Sequence, residues 1–137
     1  MPPGENELSD AELQVLRALW EHGPAPVRDV LNHLHDRGRK LAYTTVLTFL
    51  SRLEQKGYVR SDRSGMAYVY RATVTRNRVT RNRLKTLLEQ LYDGAAGPLV
   101  LQLVEQGKLS SDEIAELQKR IEELDTKRRS KPKGTSR

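Results

Sequence analysis

Thr44, Thr48, Ser51, Arg52 and Gln55 return at intervals of three and four residues, so on a helix they share one face. That face offers short hydroxyls, one guanidinium and one amide, and Glu54 is the single acid nearby. Small hydrogen-bonding groups let a helix approach another surface closely, and Arg52 and Gln55 have the reach and donor pattern to meet base edges in a DNA major groove. The bland alternative is an ordinary core helix with a polar back. Val46, Leu50 and Leu53 recur at i, i+4 and i+7 on the other side, with Leu47 and Phe49 flanking them, which is a core-facing stripe. Gly57 is placed to end this helix, predicted over 42–57, in the left-handed conformation.

Other chemistries have few residues to use. The chain has no cysteine, which excludes disulfides and thiolate metal sites. Of its three histidines, His33 and His35 lie two apart and face different ways, so they cannot chelate one metal as an i, i+4 pair would; His22 stands near the end of the first helix. There is no glycine-rich phosphate loop, no GxSxG elbow and no HExxH. The expectation is a protein that is not an enzyme and needs no metal or other cofactor. No apolar run approaches the ~20 residues that span a bilayer, and the first residues have no hydrophobic signal segment, so a cytoplasmic protein is expected.

Charge points to a polyanion. The 137 residues carry 24 Lys+Arg against 18 Asp+Glu, a net +6. Twelve basic residues and two acids fall within 37–83, a local +10, whereas residues 1–36 and 84–126 are each at −5. The cations therefore surround the helix with the hydrogen-bonding face, the distribution expected of a nucleic-acid surface.

The flanking elements follow from punctuation and period. Ser9 and Glu12 form a capping box, with Leu8 and Leu13 as a hydrophobic staple, and Leu13, Leu16, Leu19 and Trp20 line the buried face of a first helix ended by Gly23-Pro24. A second helix is predicted over 26–36, with Pro26 in its first turn and Val27, Val30, Leu31 and Leu34 inward. Segments 58–62 and 66–72 are rich in β-branched and aromatic residues and are joined by Arg63-Ser64-Gly65, a hairpin whose tip places Arg63 and Ser64 to touch phosphate. Two helices, a turn, a reading helix and a hairpin make a winged helix-turn-helix. The fold class expected is mainly α with a small β-hairpin wing, followed by a C-terminal helical dimerisation segment.

That segment comprises helices over 73–92, 98–105 and one opened by the Ser110–Glu113 capping box. These enclose too little core alone, and 98–104 is apolar nearly all round. The economical reading is a homodimer in which Leu84, Leu88, Leu91, Leu99, Val100, Leu103, Ile114, Leu117 and Ile121 meet a second copy; the alternative is that these helices fold back on the winged helix. The domain plan is 1–7 disordered, 8–75 winged helix, 76–125 dimerisation, and 126–137 a basic disordered tail.

Segments 8–20 (LSDAELQVLRALW), 26–31 (PVRDVL), 41–59 (LAYTTVLTFLSRLEQKGYV) and 98–124 (PLVLQLVEQGKLSSDEIAELQKRIEEL) resemble the penicillinase repressor family, the BlaI/MecI/CopY repressors. The resemblance implies a repressor that binds a palindromic operator in double-stranded DNA as a homodimer. It also implies, for many members, a membrane-bound sensor metalloprotease that ends repression by cleavage. Carried over by position, Thr44, Thr45, Thr48 and Arg52 would meet the bases, and Lys40 and Arg63 the phosphates; Tyr43 and Ser64 complete the expected DNA-binding set. Two departures stand out. The Asn-Phe cleavage bond of the resistance regulators aligns with Gln102-Leu103, and the cysteine cluster of the copper-responsive members has no counterpart. A ligand-responsive winged-helix regulator and a winged-helix module for protein–protein assembly are the alternative readings.

Overall fold

The computed structural model describes residues 8–130. Helix α1 (Asp10–His22) opens as its punctuation requires. The Glu12 amide donates to Ser9 Oγ at 3.2 Å and the Ser9 amide to Glu12 Oε1 at 3.0 Å, so two end donors are satisfied reciprocally. Helix α2 (Val27–Asp36) begins one residue later than expected: Pro26 is extended, with ψ 166°, and serves as the N-cap. Helix α3 (Tyr43–Gln55) ends in a Schellman turn. The Tyr58 amide returns to the Leu53 carbonyl at 2.9 Å and the Gly57 amide to Glu54 at 3.1 Å. Gly57 at φ 89° makes this turn without Cβ strain.

The wing is an antiparallel pair, β1 (Val59–Asp62) and β2 (Val69–Ala72), in the register Val59↔Ala72 to Asp62↔Val69. Both strands are shorter than expected. The Asp62 carboxylate takes the Ser64 amide at 3.0 Å, which turns the chain before a longer ladder can form, and residues 66–68 lie in the loop. Ala25 adds a third rung that no local pattern announces: its amide donates to the Tyr70 carbonyl at 2.9 Å and its carbonyl accepts from the Tyr70 amide at 2.8 Å. The core lies between the three helices and this hairpin. Val15, Leu16 and Leu19 meet Val30, Leu31 and Leu34 from α2, Val46, Leu50 and Leu53 from α3, and Tyr58, Val59 and Tyr70 from the wing. Leu13 and Trp20, expected inside, are half-buried at its margin.

Helix α4 (Arg76–Tyr92) starts three residues later than expected, because Thr75 Oγ1 accepts the Arg78 amide at 3.0 Å and caps it there. Its first turns are held to α1: the Trp20 indole donates to the Val74 carbonyl at 2.9 Å and Arg83 to the Leu8 carbonyl at 3.0 Å. Helix α5 (Gly97–Glu105) and helix α6 (Ser111–Ser130) follow, the latter opened by the Ser110–Glu113 box. The chain divides into two compact units after Leu87, inside α4, rather than at residue 75. Helix α6 also corrects the expected tail. Residues 126–130 continue the helix, with Arg128 on Asp125 at 3.2 Å and Lys127, Arg128 and Arg129 in the last turn, where cations suit the negative end of the helix dipole. The rest of that tail and the expected disorder of residues 1–7 lie outside the described residues.

Candidate nucleic-acid interface

The face of α3 opposite Val46, Leu50 and Leu53 is open to solvent. Thr44, Thr48, Ser51, Arg52 and Gln55 are all exposed on it. Thr48 donates its hydroxyl proton to the Thr44 carbonyl at 2.9 Å, so toward solvent it presents a methyl group and oxygen lone pairs. Arg52 lies 6.0 Å from the Phe49 ring and pairs with no carboxylate among the described residues. Thr45 departs from its companions: it is half-buried beside the core stripe. Lys40, exposed, precedes the helix, and Tyr43 begins it at 42% exposure.

The acid on this helix is turned away from that face. Glu54 accepts the Ser61 amide at 3.1 Å and the Ser61 hydroxyl at 2.8 Å, and Arg63 stands 3.7 Å off. The outward stripe of α3 thus carries no free carboxylate. At the wing tip, Ser64 is less available than expected, since its amide and its hydroxyl both donate to Asp62. Those two bonds hold the Asp62 carboxyl below its usual range. Arg63 is steadied by the Ser61 hydroxyl at 3.1 Å and lies 4.8 Å over the Tyr68 ring.

The structure sorts the cations that the sequence could only count. Lys56 donates to Glu12 at 2.7 Å, and Glu12 is 2% exposed in the core. Burial pushes the Glu12 carboxyl up, but the Lys56 and Ser9 hydrogen bonds together outweigh it and hold the group below its ordinary value. Arg17, His33, Arg37 and Arg76 converge on Glu21. The His33 bond leads in lowering that carboxyl, against partial burial and with help from Arg37 and Arg17. Lys56, Arg17, Arg37 and Arg76 thus serve the fold, with His33 as a hydrogen-bond partner of the Glu21 carboxylate. Arg28, Arg39, Lys40, Arg52, Arg60, Arg78 and Arg81 form no ion pair with a carboxylate among the described residues, whereas Arg71 stands close enough to Asp62 to help lower its carboxyl. Arg60 and Arg71 even face each other across the wing, a like-charge pair that a polyanion would relieve.

Three side chains take places that the sequence pattern does not signal. Leu47 was expected against the core but is 36% exposed beside Tyr43. Arg28 lies 5.2 Å over the Tyr43 ring, a contact between α2 and α3 that joins residues fifteen positions apart. Tyr68 lies in the wing loop and takes Arg63 on its ring. Among the described residues no cluster of His, Cys, Asp or Glu is arranged to hold a metal ion, and no helix is long and apolar enough to cross a membrane.

Residues 8–123 match the sequence profile of the penicillinase repressor family. The penicillinase repressor of Bacillus licheniformis is 29% identical over 85% of this chain and 91% of its own length. The transcriptional regulator BlaI of Mycobacterium tuberculosis (strain CDC 1551 / Oshkosh) is 32% identical over 91% of this chain and 90% of its own. A solved complex of hsRosR-S4 superposes with a TM-score of 0.50 over 82% of this chain and 95% of that one; at 15% identity it speaks for the fold alone. With the helix-turn-helix, the paired wing and a profile match spanning both, the chain belongs to the penicillinase repressor family and has its winged-helix fold.

Proposed function

We propose that this protein is a dimeric transcriptional repressor that binds a palindromic operator through α3 and the wing. One observation carries the reading. The outward stripe of α3 is free of available acid and lined by Thr44, Thr48, Arg52 and Gln55, and unpaired cations surround it. Thr44, Thr48 and Arg52, with Thr45 and Tyr43 at the edges, read bases; Lys40 and Arg63 hold phosphates, and Ser64 contributes only by leaving Asp62. Repression follows from occupying the operator.

Two copies are needed to read a dyad. From Leu88 onward no described residue is buried, and Leu91, Val100, Leu101, Leu103, Leu117 and Ile121 are exposed. Water-exposed leucines on three successive helices call for a partner surface, and a second copy supplies one. Release by a membrane-bound metalloprotease would cut between Gln102 and Leu103, within α5. Mass spectrometry of the chain recovered from induced cells tests that step: a break at this bond supports it, and an intact chain after derepression rejects it.

Selection from a pool of random-sequence duplexes tests the main proposal. The full chain should enrich an inverted repeat whose affinity falls steeply with salt. No enrichment, together with no duplex affinity at low salt, rejects it.

A further inference from the structure

A cavity of about 300 Å³ opens between α1 and the first turns of α4, inside the first compact unit. That volume is at the small end of the ~300–1,000 Å³ usual for small-molecule sites. It shares no lining residue with the α3 stripe or the wing. Its apolar wall is Leu13, Trp20 and Val79, each half-buried against the core. The Trp20 indole is fixed by its bond to the Val74 carbonyl at 2.9 Å. The rest of the lining is Thr80 and three arginines, Arg17, Arg76 and Arg83, and among the described residues no carboxylate lines the space.

Most donors of these three guanidiniums are uncommitted. Arg17 and Arg76 reach Glu21 at 3.5 and 3.8 Å, whereas His33 holds the same carboxylate at 2.9 Å. Arg76 also lies 5.7 Å from the Trp20 ring, which orients the guanidinium and leaves its edge donors available. Arg83 gives one donor to the Leu8 carbonyl at 3.0 Å, but its Nε is buried with no hydrogen-bond partner. A buried donor left unmade is costly, and three like charges around one apolar space repel. An anion among them relieves both. We propose that this cavity binds a small carboxylic acid with a compact apolar body. Its carboxylate accepts from Arg76 and Arg83, and its body rests on Leu13, Trp20 and Val79. A bare inorganic anion would leave the apolar wall uncovered, and an uncharged apolar molecule would leave the arginines unanswered. The site stands apart from the repressor reading, since none of its residues belongs to α3 or the wing.

Trp20 is the one tryptophan of the chain, so its emission reports occupancy directly. The full chain is titrated with benzoate, and with inorganic phosphate and benzyl alcohol as probes of the anionic and apolar halves alone. Benzoate should change the emission saturably, and each half-probe should bind at least about tenfold more weakly. Arg76→Gln and Arg83→Gln should each weaken benzoate about tenfold, the loss expected for one charge-assisted hydrogen bond. Thr80→Phe fills the space from an exposed position, keeps all three charges and should abolish the response. It also keeps the test decisive if Arg83→Gln loosens the tie to Leu8 and unfolds. The proposal is overturned if benzoate gives no saturable change, if phosphate or benzyl alcohol binds as well as benzoate, or if Arg76→Gln and Thr80→Phe leave its affinity unchanged.

Discussion

At the scale of single residues, the surface cations divide by partner. Arg52 has no acid to hold it back, and Lys56, four residues on, is committed to Glu12. Arg52→Ala is therefore expected to weaken operator binding by about 1–3 kcal/mol and to relax base preference at one position, as read by titration against single-base operator variants. Lys40→Ala should weaken all duplexes alike and flatten the salt dependence, because the phosphate contact proposed for it carries no base information. Glu12 makes a different prediction. Its folded carboxyl titrates below the ordinary 4.5, so its contribution to stability is complete above that value and is lost as pH falls through the lower folded one. Thermal melts of Glu12→Gln should show a deficit at neutral pH that narrows in acid; a deficit independent of pH would reject the linkage. Lys56→Ala should cost about 1–3 kcal/mol, since it leaves a core carboxylate short of a donor.

At the scale of elements, the ends of α3 matter as much as its faces. The turn after it requires Gly57 at φ 89°, a conformation that costs other L-residues about 1–2 kcal/mol. Gly57→Ala should lower stability by about that amount. It should also disturb the wing, because Tyr58 and Val59 leave directly from the turn into the core and β1. Chemical denaturation gives the first effect, and weakened protection of the Ala25–Tyr70 rung in amide exchange gives the second. The hairpin depends on this third rung as well as on its own ladder. Two four-residue strands make a marginal pair, and Ala25 ties them to the start of α2.

At the scale of the whole molecule, the chain folds as a winged-helix unit with a buried core and a helical unit that buries no described residue. The second leaves apolar side chains open, as the proposed dimer would require. Leu117→Asp together with Ile121→Asp should shift the chain to monomer in sedimentation and abolish binding to a full dyad, with the melting behaviour of the winged-helix unit unchanged. A dimer that survives both changes would move the interface away from α6. Formal charge at this scale also needs correction for pairing. The local +10 of residues 37–83 includes Arg37, Lys56, Arg63 and Arg76, which face acids within the fold.

Local patterns in the sequence determined the helices, their caps and the order that makes a winged helix. Capping boxes at Ser9 and Ser110, the glycine after α3 and the period of Val46, Leu50 and Leu53 act over a few residues, so the chain displays them directly. The exposed hydrogen-bonding face of α3 is legible for the same reason. Tertiary structure decided what depends on residues far apart. Ala25 joins Tyr70, Lys56 finds Glu12 across 44 positions, Glu21 gathers Arg17, His33, Arg37 and Arg76, and Arg28 reaches Tyr43. Leu47 shows the limit most simply. Its place in the helical period puts it on the shoulder of the core stripe, and only the position of the wing determines whether that shoulder is covered or faces a groove.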